Sequence, residues 1–311
     1  MDVFKEPAIL FFILGVLSVF LNTKLEIPNG LSRFLSLYLL LAIGFKGGLS
    51  LSKTGLEKEF LLCLAGGVGI AMLQSAVIAR FLGRFLGRAD AAAIAATYGS
   101  VSAVTFVAGT TFLEGKGIEY SGGMTAVLAM MEAPAIVVAL YHYGKCSGSG
   151  RISRGLLHES FLNSSVYLLL GSLLIGIISG PFGKEGVGTL VFDLFRGLLS
   201  FFLMDLGIRA GNAIRRMELP LWLVGCGICF PIIGATLAIG YSFFAGISAP
   251  QAFLLACLCA GASYIAVPAA LQMALPEARP GVYLTLALGV TFPFNILLGI
   301  PIYWKVISWI L

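Results

Sequence analysis

Two segments of this chain repeat one another at the ends of separate apolar stretches. Gly44-Phe-Lys-Gly-Gly-Leu-Ser-Leu51 and Gly207-Ile-Arg-Ala-Gly-Asn-Ala-Ile214 place glycine, cation and glycine in the same register. The match continues downstream, where Gly99-Ser-Val-Ser-Ala-Val-Thr105 is answered by Ala260-Gly-Ala-Ser-Tyr-Ile-Ala266, and Met131-Glu-Ala-Pro134 by Val290-Thr-Phe-Pro293. A fold that obeys this repetition has two related halves, divided near residue 145. In a membrane chain such a design points to a transporter, because similar halves facing opposite ways exchange conformations and open a site between them to each side in turn.

The chain is 59% hydrophobic and 11% charged, with a mean hydropathy of +0.98. A soluble domain of that composition would expose an apolar surface, so a polytopic all-α membrane protein is expected. A span needs roughly 20 apolar residues to cross the hydrocarbon. Ten can be laid down, at 7–22, 31–51, 60–79, 90–113, 121–143, 160–180, 188–209, 219–242, 250–274 and 281–307. Five per half is odd, so the second half enters the membrane from the opposite side and the repeat is inverted. The halves are read as 1–144 and 160–311, joined by a short Gly/Ser-rich linker at 145–159.

Loops after odd-numbered spans carry twelve of the basic residues, among them Arg80, Arg84, Arg88, Arg215, Arg216 and Arg279, against eight on the other side. Short basic loops stay cytoplasmic, so both termini are expected outside. The formal charge of +5 follows from that bias and requires no nucleic acid. Asp2 and Glu6 interrupt the basic region a secretory signal would need, and the first apolar stretch reads as a span. Cys63, Cys226, Cys229, Cys257 and Cys259 fall inside spans, which argues against a disulfide framework. Gly66, Gly67, Gly69, Gly171, Gly176, Gly180, Gly225 and Gly227 read as positions where helix backbones approach closely.

The polar chemistry concentrates in spans four and nine. Span four carries Thr97, Ser100, Ser102, Thr105, Thr110 and Thr111; span nine carries Gly261, Ser263 and Tyr264, with Pro268 in mid-span. Both look interrupted, since proline removes a backbone hydrogen bond and disfavours helix in the residue before it. Half-helix N-termini suit an anion and facing carbonyl ends a cation. In span five Glu132 precedes Ala133-Pro134 at membrane depth, where a bare carboxylate costs about 2.5–3.5 kcal/mol on the mildest scale. Sodium, a proton or a buried cation would each compensate it, and Thr291 and Asn295 occupy equivalent or adjacent positions in the other half. Asp205 and Arg209, one turn apart, read as a structural pair. No phosphate loop, metal-ligand spacing or catalytic triad is visible, so an enzyme is not expected.

Ile43-Gly-Phe-Lys-Gly-Gly48, Gly99-Ser-Val-Ser-Ala-Val-Thr105, Met131-Glu-Ala-Pro-Ala135, Phe195-Arg-Gly-Leu-Leu-Ser200 and the prolines at Pro268, Pro276 and Pro280, in that order and spacing, resemble the sodium-dependent bicarbonate transporters of the SbtA type. The resemblance runs along nearly the whole chain. It implies a sodium-coupled bicarbonate symporter of the bacterial plasma membrane, built from a core domain of crossing broken helices and a gate domain. It also implies a substrate site at Ser102, Ala103, Thr105, Ser263 and Tyr264, and a sodium site at Glu132, Thr105, Thr291 and Asn295. A homotrimer and a PII-like cytoplasmic regulator are implied likewise, with no other cofactor. Tyr264 stands where the family pattern has an acid, Glu132 where it has an aspartate, and the linker is shorter than the cyanobacterial loop. A proton-coupled carrier of another small anion or organic acid, an anion channel, and a receptor that binds without transport are the alternatives.

Overall fold

The computed structural model describes residues 6–55, 58–147 and 164–311. The linker expected at 145–159 therefore lies, from residue 148 on, outside the described residues. Among those described, the chain is helical and contains no strand.

Seven helical runs are long and apolar enough to cross a bilayer, and three apolar helices are shorter. α1 (Pro7–Phe20) starts with proline in its first turn, where the missing N–H costs nothing. It stops before Asn22 and Lys24, both at positive φ. α2 (Asn29–Thr54) and α3 (Lys58–Leu82) each cover a full crossing. α4 (Arg88–Gly99) and α5 (Ala103–Gly115) share one crossing, broken between them. α6 (Gly123–Ser147) continues through Pro134. α7 (Ser164–Gly188) turns sharply at Gly180, with φ 49° and ψ −138°. A π-helical turn, Thr189–Asp193, leads into α8 (Phe195–Arg215). α9 (Leu221–Ala245) is followed by the short α10 (Ala249–Cys259) and α11 (Ala266–Ala274). α12 (Pro280–Ile310) closes the described chain, with π-helical turns at Leu286–Thr291 and Asn295–Gly299.

The crossing expected at 250–274, read as interrupted, is two short helices, whereas Gly180, expected as a packing glycine, supplies a turn instead. The reason is the φ and ψ there, which only a residue without a Cβ adopts freely. Gly69, Gly171 and Gly225 also face open space. The other packing glycines do meet neighbours: Gly66 lies against the Tyr241 ring, Gly67 against Met131, and Gly227 against Val290.

Two helix pairs clasp, each joining a helix before residue 147 to one from residue 164 onwards: α1 on α8, and α2 on α7. Their closest approaches correspond position for position. Gly44 faces Ser172 and Gly48 faces Gly176; in the other pair, Gly207 faces Gly15 and Gly211 faces Val19. A methyl on Gly48 would run into the Leu173 carbonyl, and one on Gly207 into the Phe12 carbonyl. The glycines first noticed as a sequence repeat are therefore the points at which backbones touch.

Around these pairs pack α3 with α4 and α6, and α9 with α10 and the first π-helical turn of α12. The broken helices are the most enclosed: every side chain from Ala252 to Leu258 has no exposed surface. A helix apolar on all sides belongs in such an interior. Large apolar side chains such as Leu10, Leu14, Ile232 and Phe244 lie exposed along α1 and α9, as a lipid-facing wall requires.

Polar ties join the ends of the helices. At one end the Arg215 guanidinium donates to Asn22 Oδ1 at 2.6 Å and the Tyr143 hydroxyl to Glu277 at 3.1 Å. Asp90 there accepts from the Arg279 backbone N–H at 2.8 Å and from its guanidinium at 2.8 and 2.6 Å. Arg80, Arg84 and Arg88 line a cavity with His142 and Tyr143 at this same end. At the opposite end the Ser248 N–H donates to Glu59, and the Gly122 N–H to Ser50 Oγ at 3.2 Å.

Candidate functional site

The break between α4 and α5 is made by Ser100 and Ser102, both with extended backbones. The first N–H groups of a helix have no partner inside it. Ser102 Oγ takes up the Thr105 N–H at 3.2 Å and the Thr105 hydroxyl at 3.0 Å, so it caps α5. Ser263, its counterpart in the sequence repeat, lies within the second break, two residues before the Ile265 N-cap of α11, and accepts the Val267 N–H at 3.4 Å. Serine suits the cap position of α5 because its short side chain bends back onto the second or third helical N–H.

The two breaks touch. The Ser263 N–H donates to the Thr97 carbonyl at 2.8 Å, which joins the second break to the C-terminal end of α4. A Cβ on Gly261 would lie 2.6 Å from the Ser102 nitrogen, so only glycine permits this approach. The N-termini of α5 and α11 consequently converge on one small cavity. It is lined by Ser102, Ala103, Glu132, Ser263 and Tyr264, with Leu40, Leu128 and Leu169 closing it from α2, α6 and α7. Its free volume is about 20 Å³, room for one water-sized occupant.

Of the expected substrate residues, Ser102, Ala103, Ser263 and Tyr264 meet at this cavity, while Thr105 lies one turn behind Ser102 and is bonded to it. The Tyr264 ring packs against Phe292 at 5.7 Å. Its hydroxyl is buried without a hydrogen bond, and Ser102 is a polar neighbour short of bonding geometry. Glu132 is half-buried, and its side chain receives no hydrogen bond or ion pair from the described residues. Its backbone carbonyl accepts from Ser100 Oγ at 3.3 Å, which ties α6 to the first break.

Thr291 and Asn295 do not line the cavity. Pro231 lacks the N–H that would bond the Gly227 carbonyl, and the Thr291 hydroxyl donates to that carbonyl at 2.6 Å. The Tyr98 hydroxyl meets Thr291 Oγ1 at 2.6 Å. Asn295 Nδ2 donates to the Ala260 carbonyl at 2.7 Å, at the frayed end of α10, and its Oδ1 accepts from Tyr303 at 2.9 Å. Both side chains complete the backbone of neighbouring helices. Asp205 and Arg209 form the expected ion pair at 3.0 Å. Among the described residues, no three His, Cys, Asp or Glu side chains gather to hold a metal.

Sequence reading missed the link between Asp90 and Arg279, which fixes the entry of α4 to the segment before α12. Nothing in the chain signals it, because the partners lie 189 positions apart.

A helical, lipid-facing body holding two touching helix breaks around a half-buried carboxylate has the form of a polytopic membrane protein with an internal polar seat. The model of the Na+-dependent bicarbonate transporter superfamily matches residues 7–308, and the chain belongs to that superfamily. No curated protein matches the chain.

Proposed function

We propose that this protein is a symporter that carries bicarbonate inward with sodium, by alternating access to the cavity between the two breaks. The observation that carries the reading is the convergence of the α5 and α11 N-termini beside an acid whose side chain has no partner among the described residues. Each N-terminus presents a partial charge of about +0.5, which favours an anion between Ser102 and Ser263. Ser102 engages the Thr105 N–H, leaving those of Ala103 and Val104 for the substrate oxygens. Glu132 balances the coupling cation, with Thr105 behind Ser102 as a further oxygen, and the Tyr264 hydroxyl serves as a donor to the anion. A cavity of about 20 Å³ is too small for the four heavy atoms of bicarbonate, so loading parts Leu40 and Leu169 from the breaks.

The wider arrangement is read as ten crossings in two inverted five-helix halves, 1–144 and 160–311. The α1, α2, α7 and α8 group acts as the gate, and the remaining helices as the core. The corresponding glycine contacts support that division. The basic end, with Arg80, Arg84, Arg88, Arg215 and Arg279, is assigned to the cytoplasm of a bacterial inner membrane. A lone carboxylate also suits a proton-coupled carrier, and ion replacement separates the two. Purified protein in proteoliposomes should accumulate labelled bicarbonate under an inward sodium gradient at fixed pH. Uptake that follows a pH gradient with choline in place of sodium would establish the second reading instead.

A further inference from the structure

A second cavity, of about 370 Å³, lies on the same helices as the seat. The seat is bounded by Leu40 of α2, Ala103 of α5 and Leu128 of α6. One turn along each helix, the second cavity is bounded by Ile43, Phe106 and Thr125, and beyond them by Lys46, Thr110 and, just before α6, Gly122. The spacing of three to four residues per turn stacks the two spaces directly. Phe106 has no exposed surface and Ile43 is 6% exposed, so these two form the floor between them. The cavity belongs to the end of the molecule opposite the arginine-rich loops, where Ser50 meets Gly122.

Its charge is unlike that of the corresponding place in the other half. The repeat aligns Lys46 with Arg209. Arg209 is neutralised by Asp205 at 3.0 Å. Lys46 has no carboxylate within ion-pair distance among the described residues; its ammonium sits 3.7 Å from the centre of the Phe195 ring and 5.2 Å from that of Phe192. Arg196 adds a second cation to the wall. The single acid there, Glu114, already accepts the Tyr120 hydroxyl at 3.1 Å. The aromatic rings hold the lysine by cation–π attraction without consuming its charge as a carboxylate would.

We infer that this cavity is a vestibule that recruits small oxyanions, with Lys46 as the recruiting cation, before they pass the Ile43–Phe106 floor to the seat. The inference rests on the anion-carrier reading of that seat and adds the residue that feeds it. With Lys46 and Arg196 against Glu114 the wall is net positive, and a charged low-dielectric cleft focuses the field and concentrates counter-ions at its mouth. The second half, with its cation paired, lacks such a recruiting charge at the corresponding place, so recruitment acts from one side.

Two measurements test it. In proteoliposomes Lys46→Gln should raise the KM for bicarbonate about tenfold at low ionic strength with the maximal rate retained, and Lys46→Arg should restore it. Added salt should erase the difference. An unchanged KM, or an equal loss of maximal rate in both variants, would overturn the role. Independently of transport, the thiol of Thr110→Cys should react faster with a sulfonate-bearing methanethiosulfonate than with its trimethylammonium analogue. Lys46→Gln should abolish that preference. If wild-type vesicles take up no bicarbonate while the preference holds, the substrate assignment fails and the vestibule stands. No reaction of the thiol, or a preference that survives Lys46→Gln, contradicts the vestibule.

Discussion

Ser102 caps the half-helix after its break, and Ser263, its counterpart in the sequence repeat, lies within the second break and accepts an N–H of the half-helix that follows. That equivalence was legible because a serine in a run of small residues before a resumed helix is a local signal. Glu132 was legible for a different reason, the cost of a carboxylate at membrane depth. Thr291 and Asn295 looked like ligands because they are polar and near Pro293, yet they satisfy the carbonyls of Gly227 and Ala260. Which backbone group needs a partner depends on how other helices pack, and no local pattern reports that. Tyr264, expected from the resemblance to stand where the family pattern has an acid, lines the seat with an unbonded hydroxyl. Restoring an acid there should increase the steepness of the sodium dependence: Tyr264→Asp is expected to lower the sodium concentration for half-maximal uptake several-fold. An unchanged sodium response in the folded variant would show that this position does not face the coupling ion.

At the level of elements, glycine decides where helices meet. The repeated glycines of α2 and α8 mark the two clasps because they were recognisable by register alone, whereas Gly180, Gly171 and Gly225 have the same appearance in sequence and face a turn or open space. Composition does not distinguish a contact from a gap. The interruption of span nine was legible from its small residues and Pro268, but the place of the break between α10 and α11 was not, because Pro268 lies in the first turn of α11. The clasp makes a stability prediction. Gly48→Ala and Gly207→Ala each drive a methyl into a carbonyl of the facing helix and should cost about 1–3 kcal/mol through overpacking, seen as a lowered Tm in detergent. Gly225→Ala, in open space, should leave Tm unchanged. Equal behaviour of all three would mean that the clasps do not bear on stability.

For the whole molecule, α1 rests on α8 and α2 on α7, which in the proposed two-half arrangement makes equivalent helices exchange partners. Rocking this group against the remaining helices would move Leu40 and Leu169 away from the breaks. That is the movement the proposed alternating access requires. A homotrimer and a PII-like regulator at the cytoplasmic end remain proposals drawn from the family resemblance. The central claim is that one seat couples a sodium ion to the anion through Glu132. Its most direct test is entry of radioactive sodium into proteoliposomes, with and without bicarbonate, for the wild type and Glu132→Gln. Sodium entry should require bicarbonate in the wild type and be lost in the variant. Sodium entry indifferent to bicarbonate, or coupled entry at the normal rate in Glu132→Gln, would contradict it.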